Sequence, residues 1–148
     1  MSDKVHYIPN GFHSVTPYLT VGDAAALLVF LKKAFDAEEI MVMRRPDGSI
    51  GHAQVRVGDS MIEMAQTAGK WKAMPSALHF YVPDTDATYR HARAAGANSL
   101  YEPADMFYGE RSAGVVDPAG NHWYISTHTE ELTPDELRRR AAEQKPND

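Results

Sequence analysis

The chain contains no cysteine. That single absence excludes disulfides, thiolate metal sites, iron–sulfur clusters and cysteine nucleophiles. No apolar run approaches the roughly 20 residues of a membrane-spanning helix. The first residues, Met1-Ser2-Asp3-Lys4, carry no signal-peptide pattern, so a cytoplasmic protein without a membrane partner is expected. Positive charge is also scarce: 15 Lys and Arg against 20 Asp and Glu give a formal net charge of −5, which argues against a nucleic-acid partner. There is no G-x-S-x-G nucleophile elbow. What remains is a chain of 148 residues, 43% of them hydrophobic, the size of one compact domain or of two small modules sharing a core.

Residues 15–21 (VTPYLTV) are rich in β-branched and aromatic side chains and predict a strand. Asp23 is placed to cap a helix in which Ala26, Leu27, Phe30, Leu31, Ala34 and Phe35 recur at helical spacing, with Lys32 and Lys33 near its C-terminal end. Strands are expected at 39–44, 51–57 and 60–65, the last two joined by the tight turn Gly58-Asp59. Residues 67–76 are small and polar, and read as a linker. The order then repeats: strand 78–82, a helix opened by Asp84 and ended by Gly96, a short strand at 99–102, and a loop carrying Pro103, Asp105 and Gly109. Strand 110–116, the turn Asp117-Pro118-Ala119-Gly120 and strand 122–127 complete the set. The halves align at an offset of about 61 residues, with Val21-Gly22-Asp23 on Val82-Pro83-Asp84, and the repeated element order carries more weight than the sparse identities. The expected class is α+β: two βαβββ modules, about 14–66 and 77–128, with helices outside their sheets. A terminal helix at about 133–144, solvated or docking a subunit, is opened by Thr133-Pro134-Asp135-Glu136 in capping-box spacing.

Strand alternation sorts the side chains onto two faces. Ala53, Val55, Val57, Ile62 and Met64 suit packing against a helix, which leaves His52, Gln54, Arg56, Met61, Glu63 and Ala65 opposite. In the second module Leu78, Phe80, Val82, Trp123 and Ile125 take the helix side, and His79, Tyr81, His122 and Tyr124 the other. The 61-residue offset assigns Arg111 to this second group as well. Pooled with Tyr18, the non-helix faces hold Tyr18, His52, Gln54, Glu63, His79, Tyr81, Arg111, His122 and Tyr124, a mix of aromatic, imidazole and charged groups that suits a small-molecule site. Glu63 is the best candidate for a catalytic residue, as a general base. The tyrosines, with Tyr108 as a further candidate, offer stacking surface, while Glu63 and Arg111 are expected to orient a polar ligand.

The paired βαβββ modules, the V-x-D at the end of each first strand and D-P-A-G-N-H-W before the last strand resemble the vicinal oxygen chelate superfamily. It includes glyoxalase I, bleomycin- and fosfomycin-resistance proteins and extradiol dioxygenases. The stretches GHAQVRVGDSMIEM, YGERSAGVVDPAGNHWYIST and HTEELTPDELRRR look most like its PhnB-like branch. The resemblance spans about residues 14–140. It implies cup-shaped sheets that face each other around one site, within a chain or across a homodimer. The metalloenzymes of the superfamily take ligands from four repeat-related positions, which fall here on Thr16, Glu63, Ala77 and Tyr124. Only Glu63 is a plausible ligand, whereas a divalent site wants three or four N/O donors. The expectation is therefore a homodimeric small-molecule binder without a cofactor. The alternative is a lyase, isomerase or dioxygenase holding Zn, Ni, Fe or Mn on a shifted Glu63–His79–His122 set.

Overall fold

The computed structural model describes residues 4–146. Its elements run β1 (Tyr18–Val21), α1 (Ala24–Phe35), β2 (Glu38–Arg44), β3 (Ile50–Val57), β4 (Ser60–Gln66), β5 (Ala77–Tyr81), α2 (Thr85–Ala94), β6 (Asn98–Met106), β7 (Glu110–Val116), β8 (His122–His128) and α3 (Pro134–Ala142). Two four-stranded sheets result, ordered β1-β4-β3-β2 and β5-β8-β7-β6. In each, the first strand pairs parallel with the last, and the other pairings are antiparallel. This is the expected α+β arrangement of two βαβββ modules with helices and a C-terminal helix. Among the described residues no helix is long and apolar enough to cross a membrane.

Local chemistry explains the boundaries. The side chain of Asp23 accepts from Ala26 N at 3.0 Å and that of Asp84 from Ala87 N at 3.1 Å, so each V-x-D ends a strand and caps the following helix. The first strand starts at Tyr18 rather than residue 15, because Pro17 has no N–H for a ladder. Strand β6 extends to Met106 through Pro103. It is an edge strand, and its pairing with β7 shifts register between Tyr101 and Ala104, which accommodates the proline. The segment 67–76 is more than a linker: Met74 bridges Thr20 and Ala68 bridges Trp71, so it lies along the outer edge of β1.

One core serves both modules. Leu27, Phe30, Leu31 and Ala34 form the buried stripe of α1 and meet Val55, Ile62 and Met64 of the first sheet. Val115, Trp123 and Ile125 of the second sheet and Ala92 of α2 belong to the same cluster. Phe35 joins the halves, its ring centroid 4.8 Å from Trp123 and 5.1 Å from Phe80. The helices α1 and α2 also pack against each other. Because the helix sides of both sheets feed this shared core, their opposite faces look outward and do not meet within the chain.

The turn after β7 is held by a buried carboxylate. Asp117 Oδ1 accepts from Ala119 N at 2.8 Å and Asn121 N at 3.0 Å. Its Oδ2 accepts from Asn121 Nδ2 at 3.0 Å and Trp123 Nε1 at 2.8 Å. Asn121 in turn accepts from Ser76 N at 2.9 Å, tying the 67–76 segment to the turn. Helix α3 buries no residue. Thr133 caps it, accepting from Glu136 N at 3.1 Å, and Arg140 anchors it to Glu130 and the Phe107 carbonyl, each at 3.1 Å. Replacing Asp117 with Ala orphans a buried indole N–H and a buried carboxamide, and is expected to lower unfolding free energy by about 2–4 kcal/mol. Urea unfolding of the variant measures this, and a loss below about 1 kcal/mol would contradict the role given to the turn.

Candidate functional site

The outward face of the first module is built around Glu63 in the middle of β4. Tyr18 lies opposite it on β1 and Gln54 opposite it on β3. Gln54 Nε2 donates to Glu63 Oε1 at 3.3 Å, and His52 Nε2 lies 3.7 Å from the same oxygen. The Tyr18 hydroxyl is 3.4 Å from His52 Nδ1, which completes a row Tyr18, His52, Glu63, Gln54. The segment before β1 crosses one end of this face, and Tyr7, Pro9 and Phe12 help enclose a cavity of about 300 Å³ beside Gln54 and Glu63. Arg56 shares the face, but Nη1 is bound to Glu38 at 3.0 Å. All four candidate residues expected on this module therefore lie together.

The second outward face holds His79, Tyr81, His122 and Tyr124, as the alternation implied. His79 and Tyr81 stack with centroids 4.5 Å apart, and His122 meets Tyr124 edge-on at 6.3 Å. A hydrogen-bond chain runs beneath them. Tyr101 and Ser112 hydroxyls are 2.9 Å apart, Ser126 donates to Ser112 at 2.9 Å, and His79 Nε2 is 2.9 Å from Ser126 Oγ. Since Ser126 gives its proton to Ser112, His79 supplies the Nε2–H in the third bond. The Tyr101 ring lies over Gly114, where a Cβ would collide with it, so glycine is required there for the ring to lie flat on the sheet. Glu110 also points to this face, buried, with His79 Nε2 at 3.8 Å from its Oε1. The Tyr81 hydroxyl pKa is raised, first by its interaction with the Glu110 carboxylate and then by burial. Burial, then the neighbouring Tyr101 and Glu110, raises that of Tyr108.

Arg111 is not on this face, contrary to the expectation. It lies on the helix side, where Nε and Nη2 grip both oxygens of Asp86 on α2 at 2.6 and 2.9 Å and Nη1 reaches Asp105 at 3.2 Å. The reason is register. Val57 pairs with Ser60 across a two-residue turn, but Val116 pairs with His122 across the longer turn 117–121. Gln54 faces Glu63 while Gly114 faces Tyr124, so equivalent positions are 61 apart in the last strands and 60 apart in the strands before them. A shift of one residue turns every side chain to the other side of the sheet. Glu110 and Ser112 were overlooked for this reason, and the unequal lengths of G-D and D-P-A-G-N were the available signal.

The repeat-related metal positions carry Thr16, Glu63, Ala77 and Tyr124, a single carboxylate among side chains that are otherwise poor ligands. The shifted set does not assemble in the chain. Glu63 belongs to the first face, His79 is engaged by Ser126, and His122 lies against Tyr124. Among the described residues no three His, Cys, Asp or Glu side chains are grouped to hold a metal ion. The donor set of one chain does not fit the metal that the fold implies.

Residues 11–125 match the family described as the Glyoxalase/Bleomycin resistance protein/Dioxygenase superfamily. The chain belongs to this superfamily. An uncharacterized protein of Mycobacterium tuberculosis is 32% identical over 136 residues, covering 84% of this chain and 80% of that protein. An uncharacterized Mycobacterium bovis protein matches equally, over 90% of its length. Among solved structures, TioX from Micromonospora sp. ML1 superposes with a TM-score of 0.68 at 20% identity, covering 78% of this chain and 98% of TioX. The fosfomycin resistance protein FosX from Mesorhizobium loti gives 0.59 at 18% identity, over 83% and 96%. These structures establish the glyoxalase-like fold. Within it, this member has two outward faces, each with one carboxylate, one histidine beside it and tyrosine walls.

The Arg111–Asp86 pair should behave as a structural contact. Arg111 holds the Asp86 carboxyl below its ordinary value. A lowered folded-state pKa means that the contribution is complete above the ordinary aspartate value of 3.8 and is lost as pH falls through the folded one. A double-mutant cycle with Arg111→Ala and Asp86→Ala is expected to show non-additive destabilisation at pH 7 that shrinks under acid. Additive effects at pH 7 would contradict the pairing.

Proposed function

We propose that the protein is a homodimeric small-molecule binder in which the first face of one copy closes over the second face of another. The observation that carries this reading is the outward direction of both faces: the first presents carboxylate, imidazole and phenol groups to solvent, the second presents imidazole and phenol groups beside the buried Glu110, and neither can cover the other within a chain. Tyr18 and Tyr81, about half exposed, stand at these faces as surfaces for a ligand to stack on. The enclosed ligand contacts Tyr18, His52, Gln54 and Glu63 from one copy and His79, Tyr81, His122 and Tyr124 from the other.

The ligand is a cation or a strong hydrogen-bond donor. Glu63 and Glu110 supply one carboxylate on each face, and the two nearest arginines are occupied, Arg56 by Glu38 and Arg111 by Asp86 and Asp105. Binding on this reading uses no metal, since Glu63 alone among the four repeat-related positions has a ligating carboxylate. A PhnB-like placement within the superfamily draws support from the likeness to a PhnB protein of Bacillus cereus, with a TM-score of 0.61 at 15% identity.

Light scattering of the full chain at micromolar concentration is expected to return twice the 16.4 kDa chain mass. In a thermal-shift screen of small metabolites, compounds that stabilise the wild type should lose about tenfold or more in affinity with Glu63→Ala. A monomer mass, or hits insensitive to both Glu63→Ala and His79→Ala, would contradict the reading.

A further inference from the structure

The segment 67–76 holds an indole ring in water. Trp71 is 67% exposed, although folding usually buries most of a Trp side chain. The ring does not sit on a loose loop. Ala68 and Trp71 exchange both backbone hydrogen bonds, at 3.2 and 3.0 Å, around Gly69, whose positive φ suits the tight turn. Met74 N donates to the Thr20 carbonyl at 3.0 Å and pins the far end of the segment to β1. With Tyr18, Thr20 and Ala65 of the first face, Trp71 walls a cavity of about 320 Å³, within the size range of small-molecule sites. This cavity lies toward the C-terminal ends of β1 and β4, whereas the one beside Gln54 and Glu63 is walled by residues that precede β1.

Arg45 sets the charge of the cavity, as the one charged side chain that lines it among the described residues. Its Nη2 donates to the Gln66 carbonyl at 2.7 Å, and Nη1 to the Ser49 hydroxyl at 3.4 Å. A guanidinium carries more N–H donors than these two bonds use, so the fork is held in place and still has donors for a ligand. No carboxylate among the described residues forms an ion pair with it. Asp47, the nearest acid in sequence, instead accepts from Ser49 N and Oγ at 2.9 and 2.6 Å. A Cβ at Gly51 would come within 3.2 Å of Arg45 Cγ, so glycine there leaves room for the arginine. A second cation, Lys70 Nζ, sits 5.1 Å from the centroid of the Trp71 ring. Aromatic walls with a fixed guanidinium suit a planar anion: the rings offer stacking surface, and the fork matches the two oxygens of a carboxylate.

We propose that Trp71, Tyr18 and Arg45 form a binding site for an aromatic carboxylate, its ring against Trp71 and Tyr18 and its charge on the Arg45 guanidinium. The site goes beyond the reading above, which concerns a cationic or hydrogen-bond-donating ligand at Glu63. It also uses residues of one chain only. Arg45 is a binding residue here, and no reaction is assigned to it.

The chain has two tryptophans, so their indole N–H signals supply both a probe and a control. Trp123 is buried and donates to Asp117 Oδ2 at 2.8 Å. In an NMR titration of the full-length protein, naphthoate should shift the Trp71 signal and leave that of Trp123 in place. By calorimetry it should bind at least about tenfold more tightly than naphthamide, which lacks the charge, or acetate, which lacks the ring. Arg45→Gln and Trp71→Ala should each weaken naphthoate by about tenfold or more, while Trp71→Phe retains most of the affinity. An unmoved Trp123 signal in Arg45→Gln confirms that the variant is folded, and the Trp71 pair gives an independent reading. Naphthamide binding as tightly as naphthoate, naphthoate binding undiminished by Arg45→Gln, or a Trp71 signal that no ligand moves would each overturn the site. A Trp71 signal that moves with protein concentration alone would overturn it too, by giving the ring to a contact between copies. The Glu63 reading fails separately, on a monomer mass or on screen hits insensitive to Glu63→Ala and His79→Ala.

Discussion

Asp117 lies buried in the turn between β7 and β8, where its two oxygens gather the amides of Ala119 and Asn121, the carboxamide of Asn121 and the indole N–H of Trp123. The arrangement has two consequences. It holds Trp123 in place under Phe35 and Phe80, where the modules join. It also closes a turn of fixed length, so that Val116 meets His122 and every residue of β7 takes its side accordingly. Glu110, Ser112 and Gly114 go outward, while Arg111, Ala113 and Val115 go toward the helices. The chemistry of the second face thus depends on a carboxylate that is not part of it.

The shared core sets the second constraint. Apolar residues from the helix side of both sheets converge on α1, so burying them turns the polar sides away from each other. A protein built this way exposes two half-sites. The first is ordered by ladder neighbours, with Tyr18 and Gln54 directly opposite Glu63, and the second by a chain of hydroxyls ending at His79. The nearby arginines do not neutralise Glu63 and Glu110, because they are bound to other carboxylates, Arg56 to Glu38 and Arg111 to Asp86 and Asp105. Similarity of sites within one superfamily says little about ligands, and the specific content of this site lies in those residues.

Much of this was legible in the sequence. Helical spacing and the two aspartate caps marked α1 and α2, and strict alternation along β3 and β4 separated Glu63, His52 and Gln54 from the core. That worked because a two-residue turn leaves no freedom in the pairing. The second module was harder. Transferring faces by a constant offset ignores turn length, and a one-residue difference moved Arg111 to the wrong side and hid Glu110. The lengthened β6 was obscured by Pro103, which argues against a central strand and is tolerated on an edge. The bridges made by 67–76 depend on tertiary contact with β1, which no local pattern in that small, polar stretch encodes.

The absence of cysteine makes the central claim directly measurable, because any introduced thiol is the only one in its chain. Glu63→Cys and His79→Cys chains, separately tagged and coexpressed, can be treated with a short bis-maleimide. Pairing of the first face of one copy with the second face of another predicts a cross-linked heterodimer carrying both tags. It also predicts that the Glu63→Cys, His79→Cys double variant links between chains and not within one. Cross-linking confined to a single chain, or none in the mixture, would contradict it.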